Sequence, residues 1–229
     1  MEYPHNRPYT ADDLVRIITL LRDPVNGCPW DKVQTHTSIR MNFLEEAYEA
    51  VDALDLDDPV LMCEELGDVL MQVAFHTCVE QETGRFTWEQ VCDGVCQKLI
   101  ERHPNIFGTQ PGYEGITDWD ALKNKEKGRR TLADDLESVP RAMPALMRAA
   151  KLQKRAARHG AALQRADAAA LADAAENLQT AQPASAQAEQ AVGELLFAAA
   201  NLARQAGVDP EQALQKANEA FCTAAGPVA

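Results

Sequence analysis

Residues 37–82 confine the chain to a narrow set of folds. Apolar side chains recur there at three- and four-residue spacing on both sides of one break, Asp58-Pro59, and that period belongs to helices. Phe43, Ala47, Ala50 and Leu54 make one stripe over about 37–54, with Leu44, Tyr48 and Val51 beside it. Aspartate at an N-cap with proline at the first helical position opens a second helix, over about 59–82. A link as short as 55–58 makes the two helices antiparallel neighbours.

The same reading extends along the chain. Thr10 with Asp13 forms a capping box ahead of Leu14, Ile17, Ile18 and Leu21, and Thr87 with Gln90 forms another ahead of a helix ending by Pro104. Pro24, Gly27 and Pro29 make "DPVNGCPWDK" a loop, in which Trp30 is read as a packing residue. No segment reads convincingly as a strand, so the fold class is all-α. "HPNIFGTQPGYEG" is loop-like, and "DWDALKNKEKGRR" reads as a short charged helix. Beyond Pro140 and Pro144 the chain is rich in alanine and helical, broken at "AQPASAQ" (181–187) and capped again by Asp209-Pro210.

The second part resembles a faded copy of the first. "EELGDVLMQVAF" (64–75) sets against "QAVGELLFAAAN" (190–201), and "WEQVCDGVCQKLIERH" (88–103) against "PEQALQKANEAFCTAA" (210–225). The boundaries expected are 1–128 for the first repeat and 129–229 for a degenerate, truncated second. In this register Glu65 becomes Ala191, Asp68 becomes Glu194, Lys98 becomes Ala220 and Arg102 becomes Ala224. Apolar positions survive while most of these charges vanish.

The net charge of −13 is as uneven as the repeats. Residues 1–140 hold 13 Lys/Arg and 27 Asp/Glu, a net of −14, and residues 141–229 hold 9 and 8, a net of +1. This excludes a nucleic-acid backbone as the main partner. "MEYPHNRPYT" is polar rather than leader-like, and no uncharged apolar run reaches the ~20 residues of a bilayer span. A cytoplasmic protein without a membrane partner is expected. The six cysteines form no CxxC pair, so reduced and mostly buried thiols are expected, with Cys92 and Cys96 side by side.

Glu45, Glu46 and Glu49 on one helix, and Glu64, Glu65 and Asp68 on the next, crowd negative charge beside the apolar stripes. Residues three apart share a helix face, so Glu46/Glu49 and Glu65/Asp68 are two-carboxylate claws. Two such charges at ~4 Å repel by ~4 kcal/mol at an effective dielectric near 20. One alternative is a solvated face; the other is a shared cation. An all-oxygen donor set favours Mg²⁺ or Mn²⁺. A di-iron site would want a Glu-x-x-His pair on two helices, and His76, eight residues past Asp68, reads instead as a packed or surface residue. Such an ion points to phosphate chemistry, for which Lys98 and Arg102, one turn apart with His103 beside them, supply positive charge. No GxxxxGK[ST] loop is present.

"LEEAYEAVDA…EELGDVL" resembles the EExxE…ExxD signature of the MazG nucleoside triphosphate pyrophosphohydrolases. "RDPVNGCPWDKVQTH", "GRF", "KLIERHPNIF", "WDALKNKEK" and "VPRAMPALMRAAKLQKRA" resemble further family segments in the same order. The resemblance implies two tandem all-α bundle repeats in an intertwined homodimer. It also implies Mg²⁺-dependent hydrolysis of an NTP or dNTP to monophosphate and pyrophosphate. Carried over by position, Glu46, Glu49, Glu65 and Asp68 ligate metal and Glu45 orients water or a metal-bound group. Lys98 and Arg102 hold phosphate oxygens, and Trp119 and Lys123 close over the nucleotide. The second repeat lacks the acid set, with Glu176 and Glu194 as remnants. Catalysis therefore falls to the first repeat; the alternative is a weak or inactive nucleotide-binding or interaction module.

Overall fold

A computed structural model describes residues 2–5, 7–108, 122, 126–162 and 166–226. It divides into two compact units, Met1–Ile116 and Thr117–Ala229. Among the described residues every regular element is helical and none is a strand. None of those helices is long and apolar enough to cross a membrane.

The first unit holds α1 (Ala11–Leu21), α2 (His36–Leu56), α3 (Pro59–Glu82) and α4 (Trp88–Arg102). Local chemistry sets their starts. Thr10 and Asp13 form the expected capping box on α1, as do Thr87 and Gln90 on α4. Thr35 with Ser38 starts α2 one residue earlier than periodicity alone indicates. The Asp58 carboxylate accepts from the amides of Val60 and Leu61 with Pro59 at the first position, opening α3 as expected. Between α2 and α3 the chain reverses through Asp57, a left-handed residue at φ 54°.

The 23–33 loop is tied down rather than free, ending in a single 3-10 turn, Asp31–Val33. Arg22, 7% exposed, donates to the carbonyls of Asp31 and Gln34 and pairs with Glu82 at 2.5 and 2.8 Å. A Cβ on Gly27 would lie 2.4 Å from the carbonyl oxygens of Leu21 and Asp23, so only glycine allows this close approach. Trp30, expected to pack within the loop, is instead 57% exposed, because the arginine fills the interior position.

Core packing is concentrated at one end of the unit. Val15 and Ile18 of α1, Ile39 of α2, Ala74, Phe75 and Cys78 of α3, and Trp88 of α4 form the buried cluster. Farther along the hairpin, α2 approaches α3 through the buried Ala50 and Ala53. There Tyr48, Val51 and Leu54, expected as core stripes, are exposed, as are Leu66 and Leu70 of α3 and Val95, Leu99 and Ile100 of α4. The thiols also depart from expectation: all six are free, but only Cys78 is buried, and Cys63, Cys96 and Cys222 are exposed.

The second unit holds α5 (Leu132–Glu137), α6 (Ala145–Arg158), α7 (Ala168–Thr180), α8 (Ala186–Gln205) and α9 (Pro210–Ala225). Helices α7 and α8 pack closely, α6 lies against α8, and α9 touches both α6 and α8. Ala174, Ala191, Ala198 and Ala200 are buried, the small side chains that allow such close helix contact. Segments 64–75 and 190–201 occupy α3 and α8, and 88–103 and 210–225 span α4 and α9.

Candidate active site

The acids stand where α2 and α3 run side by side. One carboxylate oxygen from each of Glu46, Glu49 and Glu65 can be chosen so that all lie within 4.8 Å of one another. Glu46 and Glu65 are half-buried and Glu49 is exposed. Two elements therefore supply the group, as the three-residue spacing on each helix requires. Asp68 is outside that trio yet close enough to act on it, raising the pKa of both Glu46 and Glu65. Glu45 is exposed one turn before Glu49 on α2, and both line a hollow of about 550 Å³ with Met41, Leu44, Tyr48 and Asp52.

Like charges crowd the site. Burial first, then the charge of Asp68, pushes the Glu46 carboxyl above its ordinary value; the Gln72 hydrogen bond acts the other way. Burial likewise leads for Glu65, followed by the charges of Glu49, Asp68 and Glu64. A polyanionic, all-oxygen pocket of this kind fits a hard divalent cation, which relieves the repulsion.

The pKa directions also set a pH dependence. Raised carboxyls bind more protons folded than unfolded, so their stabilisation is complete below about 4.5 and is lost as pH rises through the folded values. A cation competes for the same oxygens and binds once they are ionised. Saturating Mn²⁺ is expected to raise the melting temperature by about 5–10 °C at pH 7.5 and by much less at pH 5. Differential scanning fluorimetry at the two pH values checks this; an equal shift at both contradicts it.

Two of the other expected residues lie on α4. Lys98 is exposed there and Arg102 half-buried. His103 directs Nδ1 at the Leu99 carbonyl, 2.7 Å away. Trp119, Lys123 and most of the charged segment 118–130 lie outside the described residues.

Two further groups come together through the pairing of α2 with α3. Gln72, 7% exposed, donates from Nε2 to Glu46 Oε1 at 3.4 Å. One turn on, the half-buried His76 stacks on His36, their Nδ1 atoms 2.7 Å apart. The Nε2 of His36 meets the buried Glu80 carboxylate, which Arg85 also engages at 2.6 Å. Burial, then His36, holds the His76 pKa below its ordinary value. Asp68, Gln72, His76 and Glu80 recur every four residues, the one signal in the sequence that marks this polar seam.

An acid-lined helical hairpin of this form defines a class. A model of the MazG nucleotide pyrophosphohydrolase domain matches residues 34–107. The chain is also 41% identical over 219 residues to the nucleoside triphosphate pyrophosphohydrolase of Escherichia coli K12, spanning 92% of this chain and 83% of that protein. It is 39% identical over 212 residues to the nucleoside triphosphate pyrophosphohydrolase/pyrophosphatase MazG of Thermotoga maritima, spanning 92% and 82%. A nucleoside triphosphate pyrophosphohydrolase of Mycobacterium tuberculosis is 34% identical over 154 residues, spanning 66% of this chain and 46% of its own. The chain belongs to the MazG family.

Proposed function

We propose that the hairpin of α2 and α3 is where this chain hydrolyses nucleoside triphosphates, NTP or dNTP, to monophosphate and pyrophosphate with a divalent cation. The observation that carries the reading is the convergence of Glu46, Glu49 and Glu65 from two helices, with Asp68 beside them. Family membership and the pyrophosphohydrolase names of the relatives support it. Glu46, Glu49, Glu65 and Asp68 are the proposed ligands, and Mg²⁺ or Mn²⁺ the proposed ion. When bound, that ion would offset phosphate charge and lower the pKa of water.

The chain's own residues do the rest. The four carboxylates would hold the cation in place, and Glu45 is proposed to orient water or a metal-bound group. Lys98 and Arg102 are proposed to take phosphate oxygens as charge-assisted donors. Trp119 and Lys123 are proposed, on family resemblance, to cover the nucleotide. Incubation of NTPs and dNTPs with Mg²⁺, followed by ³¹P NMR, tests the reaction. Pyrophosphate and monophosphate are expected together; orthophosphate with diphosphate would contradict the reading.

A homodimer in the cytoplasm and the division into a catalytic and a degenerate repeat belong to the same proposal. The exposed Tyr48, Val51, Leu54, Leu66 and Leu70 of one hairpin support the dimer, because exposed side chains of this number and size favour burial in an interface. Light scattering on a sizing column is expected to give twice the 25.1 kDa chain mass, and Leu66→Glu to shift the population toward monomer. A wild-type monomer at micromolar concentration would refute it.

A further inference from the structure

We infer that Gln72 is a positioning residue for Glu46: its side-chain amide holds one oxygen of that carboxylate from the protein side and leaves the other directed to the cation. The inference rests on the proposed role of the α2–α3 acids.

Its grounds lie in burial and in the copy. Gln72 stands in an apolar stretch of α3, between Met71 and Val73 and next to the core residues Ala74 and Phe75. An amide that has given up water needs a protein partner, since a buried donor left unsatisfied keeps its full desolvation penalty. The Glu46 Oε1 is that partner, at 3.4 Å. A neutral donor is also the right chemistry here. A lysine would compete with the cation for Glu46, and another carboxylate would add to the repulsion, whereas an amide orients the oxygen without changing the net charge. In the repeat register Gln72 becomes Ala198, which is fully buried in α8. The copy thus keeps the position inside while dropping the donor, along with the acid corresponding to Glu65. A buried polar group that is lost together with a proposed ligand, while the apolar positions around it are kept, serves that ligand set rather than the bundle.

The test is Mn²⁺ binding to the metal-free full chain, read as loss of the free Mn²⁺ signal in electron paramagnetic resonance. Wild type, Gln72→Met, Glu46→Gln and the double variant are compared. Methionine matches glutamine in length and suits both helix and core. Gln72→Met is expected to weaken Mn²⁺ binding about tenfold, with an unchanged circular dichroism spectrum and no fall in melting temperature. Added to Glu46→Gln it is expected to have no further effect, because the two act through one carboxylate. Hydrolysis by Gln72→Met should recover as Mn²⁺ is raised. If Glu46→Gln loses binding while Gln72→Met stays within twofold of wild type, this inference fails and the acid site stands. If Glu46→Gln itself binds as wild type, the site reading fails. Should Gln72→Met not fold, Gln72→Leu is measured in its place against the same thresholds.

Discussion

Glu46→Gln and Asp68→Asn each lower nucleoside triphosphate hydrolysis by at least about 10³-fold at saturating Mg²⁺, or about 4 kcal/mol of transition-state stabilisation. Both substitutions keep the shape of the side chain and remove its charge. Glu46 is one of three acids whose oxygens converge within 4.8 Å, so its loss removes a ligand and half of a claw. Asp68 acts on Glu46 and Glu65 through its charge, so its loss removes one of the negative charges beside both. Neither change empties the core, and each relieves repulsion in the metal-free protein, so stability should hold or rise while activity falls. Initial rates of pyrophosphate release, with thermal melts of the same samples, separate the two effects. Wild-type rates in both variants would remove catalysis from these acids, whereas no product from the wild type itself would favour a nucleotide-binding or interaction module.

The largest effect on folding is expected in the second unit, at Asp135. This carboxylate of α5 is 1% exposed and lies 2.9 Å from Arg155 Nη1 and 3.2 Å from His159 Nε2. Arg155 is itself buried and donates to the Asp135 carbonyl at 2.5 Å and to the Ser138 hydroxyl. Asp135→Asn leaves a guanidinium inside the protein with no counter-charge, which costs about 3–5 kcal/mol. Replacing both partners, Asp135→Leu with Arg155→Met, removes the charge problem and should recover most of that loss. Urea denaturation of the three proteins measures it, with each unit's transition fitted separately if they part. A loss below about 1 kcal/mol for Asp135→Asn would show that water reaches the pair.

Helix starts were legible because they are local. Thr10 with Asp13, Asp58 with Pro59, Thr87 with Gln90, and Asp209 with Pro210 each carry their capping chemistry within four residues. The acid claws were legible for a related reason: three-residue spacing fixes a shared helix face before any packing is known. Burial was not, since it depends on what lies opposite. Tyr48, Val51 and Leu54 have the period of a core stripe, yet α2 turns Ala50 and Ala53 toward α3 instead. Trp30 has the character of a packing residue, yet Arg22, distant in type from a core residue, takes the loop's interior. Gln72, His36 and Glu80 carry no individual mark of a site, because each is ordinary on its own helix. Their role arises from the pairing of α2 with α3.

Crystals grown with Mn²⁺, with data collected at the manganese edge, test the central claim most directly. The account predicts an anomalous peak between α2 and α3, within about 2–2.5 Å of oxygens from Glu46, Glu49 and Glu65. No peak there, with the three side chains turned apart, would contradict it.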